Sequence, residues 1–77
     1  MVGMMTLWEY GELRLRWRQN GVWTGPRGQG AEVDPEAVVA FLNRLGSEGW
    51  EAVAMTHTDP GKYGPTRTYL MKRQQVT

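Results

Sequence analysis

Seventy-seven residues with nine basic and eight acidic side chains allow one domain, and a net charge of +1 gives no global field that would draw it to nucleic acid or an anionic membrane. Cysteine is absent and histidine occurs once, so neither disulfides nor a structural zinc cage can supplement a small core, and self-association is the remaining way to bury more surface. No apolar run reaches the roughly 20 residues that span a bilayer, and Met1-Val2-Gly3-Met4-Met5 lacks the pattern of a signal peptide, which predicts a cytoplasmic protein with no membrane partner.

Residues 1–5 are expected to form a frayed N-terminus, 6–73 a single domain and 74–77 a polar C-terminal tail. From Thr6 to Arg18 the chain alternates, with Leu13, Leu15 and Trp17 on one side and Glu12, Arg14, Arg16 and Arg18 on the other; that period of two predicts a strand. Trp8 and Tyr10 fall on the arginine parity, and a bulge at Gly11 would reconcile the two halves. Asn20-Gly21 is a strong hairpin signal, so a second strand is expected to begin at Val22 and to end at a Gly/Pro-rich loop over Gly25–Gly30, within a long connection reaching Val33.

Asp34 as N-cap, Pro35 in the first turn and Glu36 beside the helix dipole predict a helix start. Val38, Phe41, Leu42 and Leu45 then follow at i, i+3, i+4 and i+7, a core-facing stripe that Gly46 would close as the C′ residue. Trp50–Thr58 reads as a third strand, with Trp50, Ala52 and Ala54 on one face and Val53 and Met55 on the other. A turn-rich connection opens at Asp59-Pro60-Gly61, and Thr66–Arg73 reads as a fourth strand. The expected fold is a single small α+β domain of order β-β-α-β-β, a four-stranded, mainly antiparallel sheet with one helix packed on one face. One helix covers one side of such a sheet, which leaves strand Trp, Tyr and Met side chains to be covered by a second copy; a homo-oligomer, dimer or higher, is therefore expected.

Catalytic chemistry finds little footing. His57 has no cysteine or carboxylate pair near it in sequence, Glu48 and Glu51 read as solvated charges, and no metal site or cofactor is expected. The loop Gly25–Gly30 matches neither phosphate-binding fingerprint, and Asp34 and Glu36 would repel an anion at the following helix. The best local signal is Arg14, Arg16 and Arg18, projected from one strand face about 7 Å apart. A two-residue turn at Asn20-Gly21 would set Trp23 opposite Arg18; a three-residue loop would set it opposite Trp17. Arg14, Arg16, Arg18 and Trp23 are thus the candidate ligand-binding set, suited to an anionic, phosphorylated or nucleotide-like small molecule, with nucleic acid not expected as the main partner.

Trp8-Glu9-Tyr10 at the start, Leu42-Asn43 and Leu45-Gly46 at the helix end, Glu48-Gly49-Trp50-Glu51 beyond it and Lys72-Arg73 in the last strand together resemble the small bacterial domain-of-unknown-function family 4177. The resemblance runs from about Leu7 to Arg73 and is most specific from Leu42 to Glu51. It implies a compact β-β-α-β-β domain in which Trp8, Tyr10, Phe41, Leu42, Leu45, Gly46, Gly49 and Trp50 are structural, and it carries no activity or catalytic residues. Seven arginines to two lysines fit a GC-rich bacterial or phage origin. The sequence thus points to a non-enzymatic interaction or assembly module that self-associates through its sheet. The alternatives are an oligomeric protein that binds or sequesters a small phosphorylated ligand, and a weak single-stranded nucleic-acid binder.

Overall fold

In the computed structural model the described residues are 6–58 and 64–75. The expected frayed N-terminus, the turn at Asp59-Pro60-Gly61 and the last two residues of the expected tail lie outside them. Five antiparallel strands, β1 (Trp8–Arg16), β2 (Gly21–Thr24), β3 (Gly30–Val33), β4 (Glu51–Thr58) and β5 (Thr66–Gln74), form one sheet in the order β3-β2-β1-β5-β4. A 3₁₀ turn at Pro35–Ala37 leads into α1 (Val38–Ser47). The architecture is α+β with one helix, as expected, but the sheet has five strands rather than four.

The additional strand comes from the segment read as a long loop. Gly25 N–H donates to the Gln29 carbonyl at 2.7 Å and Gly28 N–H to the Gly25 carbonyl at 3.0 Å, so the chain reverses within five residues and returns beside β2 as Gly30–Val33. Four residues with a single buried side chain, Val33, are too few to display an alternation.

β1 is also more regular than expected. It pairs with β5 without interruption from Trp8↔Gln74 to Arg16↔Thr66, so there is no bulge at Gly11. Trp8 and Tyr10 therefore share the open face of the sheet with Glu12, Arg14 and Arg16, while Leu13 and Leu15 face the helix. The irregularity lies in β4 between Ala52 and Ala54. It reverses the parity: Ala52 pairs with Met71 on the helix side, Ala54 with Leu70 on the open side, and Met55 with Tyr69 on the helix side again. Ala52 and Ala54 do not share a face, contrary to the simple alternation. β5 continues through Gln74, and Gln75 N–H donates to the Leu7 carbonyl at 2.8 Å, so the first two residues of the expected tail are held.

The helix begins as the sequence predicts, with the Asp34 carboxylate accepting the Glu36 N–H at 2.9 Å. It ends later. Gly46 lies inside α1, and Gly49, at φ +92°, is the C′ residue. Trp50 N–H donates to the Leu45 carbonyl at 2.9 Å and Gly49 N–H to the Gly46 carbonyl at 3.0 Å, the paired bonds of a Schellman ending. That ending turns Trp50 back into the core beside Leu45.

The buried residues are Leu13, Trp23, Val33, Leu45, Trp50 and Met71, with Val38, Phe41, Leu42, Leu15 and Tyr69 packed against them. Trp23 meets Phe41 edge-on at 6.3 Å and Trp50 at 5.1 Å, geometry that favours the aromatic quadrupoles. This core lies under β3, β2, β1 and β5. All eight residues of β4 are exposed.

Candidate functional site

The four residues proposed from sequence as a ligand set do not come together. Arg14 and Arg16 project from the open face beside Thr68 and Thr66, over a shallow groove of about 150 Å³ that includes Glu12, Val22 and Thr24. Arg14 is paired with Glu12 at 3.1 Å; both side chains are about half exposed, so the pair contributes less than about 1 kcal/mol. Trp23 is on the other side of the sheet, buried, opposite Leu13 rather than opposite Arg18 or Trp17. The cause is the turn. Its tip is Trp17-Arg18, with Arg18 at φ +58°, and Gln19 N–H donates to the Arg16 carbonyl at 3.3 Å. Gly21, expected at the tip, is instead buried in β2, where a Cβ would stand 2.7 Å from Leu15 Cδ2.

The indole that does accompany an arginine is Trp17. The Arg18 guanidinium carbon lies 4.4 Å from its ring centroid, and Trp17 N–H donates to the Pro65 carbonyl at 3.2 Å. Gly64, at φ +78°, packs so closely on Trp17 that a Cβ would come within 2.6 Å of Cε3. Leu15, Arg67 and His57 form one row across β1, β5 and β4, and with Arg16, Trp17 and Pro65 they line a groove of about 220 Å³. Alternation along β1 placed Leu15 and Trp17 on one side, but Arg67 and His57 join them only through the β5 pairings.

The opposite end of the sheet carries the other charged cluster. Arg73 Nε donates to the Glu9 carboxylate, Nη1 reaches the Glu48 carbonyl at 3.4 Å, and the guanidinium stacks 4.5 Å from the Trp50 ring. A cation at the last carbonyls of α1 complements the helix dipole. The broad cavity beside it, about 610 Å³, is shared by Glu9, Arg27, Gln29, Glu48 and Arg73. Its acidic and basic groups balance, and Arg73 is committed to the fold.

Trp8, Tyr10 and Leu70 are all exposed on the open face, where Lys72 Nζ lies 4.2 Å from the Trp8 ring. Phe41, Leu42, Leu45 and Trp50 belong to the core. Among the described residues no three His, Cys, Asp or Glu side chains gather as a metal site would require, and no helix is long and apolar enough to cross a membrane. No family model, curated protein or solved structure matches the chain.

Proposed function

We propose that the protein is a non-enzymatic assembly module that associates with further copies of itself through its sheet. The observation that carries this reading is β4. It is hydrogen-bonded along one edge only, to β5, and all eight of its residues, including Val53 and Met55, are exposed. Soluble proteins blunt such edges with lysine, proline or brevity. β4 contains neither residue and is twice as long as β3, the other edge, which has four residues. Its defences are the irregularity at Ala52/Ala54 and the charge of Glu51 at its start.

The neighbouring surfaces support the same reading. Trp8, Tyr10 and Leu70 leave large apolar groups on the open face, and contiguous exposed apolar surface marks contact sites. A partner of the same sequence offers an identical unpaired edge, which suits a two-fold arrangement.

Sedimentation velocity at micromolar concentration tests the proposal. The wild type is expected to sediment as a dimer or larger species and Met55→Lys as a monomer. Val39→Lys, at an exposed position off the buried stripe of α1, leaves assembly unchanged. A wild-type monomer across this range overturns the reading.

A further inference from the structure

We infer that the groove at the Trp17 turn binds a phosphate ester carrying a flat ring, the chemistry of a nucleotide. Four of the nine basic side chains, Arg14, Arg16, Arg18 and Arg67, lie at this one end of the sheet: Arg14 and Arg16 close β1 on the open face, Arg18 caps the turn, and Arg67 opens β5 on the helix side, in the groove. The ion pairs among the described residues are Arg14–Glu12, Arg44–Glu48 and Arg73–Glu9. Arg16, Arg18 and Arg67 therefore have no carboxylate partner among those residues. Glu32, another carboxylate near this end among the described residues, accepts from Asn20 at 3.3 Å. In a chain whose total charge is +1, this is a marked segregation, and an anion in the groove would meet the Arg67 guanidinium without a competing carboxylate among the described residues.

The groove itself specifies more than an anion. Leu15, Trp17 and Pro65 give it apolar walls, and Arg67 and His57 supply donors on the same side of the sheet, while Arg16, which also borders the groove, belongs to the open face. Leu15, Arg67 and His57 sit on three successive strands, about 4.8 Å apart, so the row spans about the width of a ring with a phosphate beside it. Guanidinium groups match phosphate oxygens with paired donors, while an indole wall favours a planar aromatic body. Bare phosphate would leave that wall unused, and an apolar ring alone would leave the arginines unneutralised. This site shares His57 with β4, the strand proposed for assembly, and does not use Trp23.

Isothermal titration of the full chain with AMP, ADP, an eight-nucleotide single-stranded DNA and inorganic phosphate tests the site. AMP or ADP is expected to bind at least tenfold more tightly than inorganic phosphate. The exposed double charge reversal Arg16→Glu/Arg67→Glu is expected to weaken binding at least tenfold, and Trp17→Ala roughly tenfold, with folding of each variant checked by circular dichroism. Arg44→Glu, on α1, leaves affinity unchanged. Tighter binding of the oligonucleotide with a steep loss on added salt identifies a strand as the source of the chemistry; equal affinity for mononucleotide and oligonucleotide identifies the free compound. The inference is overturned if no nucleotide binds at millimolar concentration, if phosphate binds as well as AMP, or if the folded double reversal keeps wild-type affinity.

Discussion

The indole of Trp23 occupies the space that a side chain at Gly11 would need: a Cβ there would stand 2.3 Å from Trp23 Cη2 and 2.8 Å from Cζ2. Glycine in a strand interior ordinarily weakens the strand, and an aromatic ring laid over it from a neighbouring strand recovers the lost packing. Gly11→Ala is therefore expected to destabilise the fold by about 1–3 kcal/mol, measured by urea unfolding. In a Trp23→Leu background the same change should cost much less, giving a coupling on the order of 1 kcal/mol or more. Equal costs in the two backgrounds would show that the indole is not what excludes the methyl group.

Two glycines three residues apart should respond with opposite sign. Gly46 is inside α1 with nothing within 4 Å of a Cβ, so Gly46→Ala should stabilise by about 0.5–1 kcal/mol. Gly49 also has open space, but its φ of +92° is unfavourable for an L side chain, and Gly49→Ala should cost about 1–2 kcal/mol. Thermal unfolding of both variants is the check; destabilisation at Gly46 would place the helix end wrongly.

Gly64→Ala combines both penalties, with φ +78° and a contact of 2.6 Å to Trp17 Cε3. It should lower stability by about 1–3 kcal/mol and loosen the turn that carries Arg18. A midpoint in urea equal to wild type would contradict the packing of Gly64 on the indole.

Arg73 joins β5 to β1 and to the end of α1 by touching Glu9, the Glu48 carbonyl and Trp50. The Arg73 and Glu9 side chains are 32% and 19% exposed, so the ion pair is more shielded than Arg14–Glu12 but not dry. A double-mutant cycle with Arg73→Met and Glu9→Gln should give a coupling of about 1 kcal/mol, more than an exposed pair gives. Arg73→Lys should not restore it, since an ammonium lacks the planar fork that meets carboxylate and ring together.

The helix was legible because its signals are local: a cap, a proline and a stripe at i, i+3, i+4 and i+7 all lie within about a dozen residues from Asp34 to Leu45. β1, β4 and β5 were legible from their length and residue types. What escaped depended on partners distant in sequence. β3 has only Val33 to declare it. Gly11 reads as a bulge until Trp23 is placed beside it, and the register that buries Trp23 follows from a turn at Trp17-Arg18 that carries no glycine. The ligand set failed for the same reason: parity along β1 put Arg14 and Arg16 on one face, but which indole they approach depends on pairing. At the helix end both glycines fit the C′ pattern, and the choice between Gly46 and Gly49 fell to the one that lets Trp50 reach the core.

The strand order β3-β2-β1-β5-β4 puts the first and last strands side by side at the heart of the sheet and leaves β4 attached to β5 alone. During synthesis, the β1–β2–β3 meander and the helix can associate early, but β4 emerges with no neighbour to receive it until β5 has followed. Closure of the β1/β5 seam brings together residues more than sixty positions apart, such as Glu9 and Arg73, and contacts of that span are slow to form. Until then the nascent chain exposes its least protected strand on both edges, so productive folding is a race between arrival of β5 and capture of β4 by another chain.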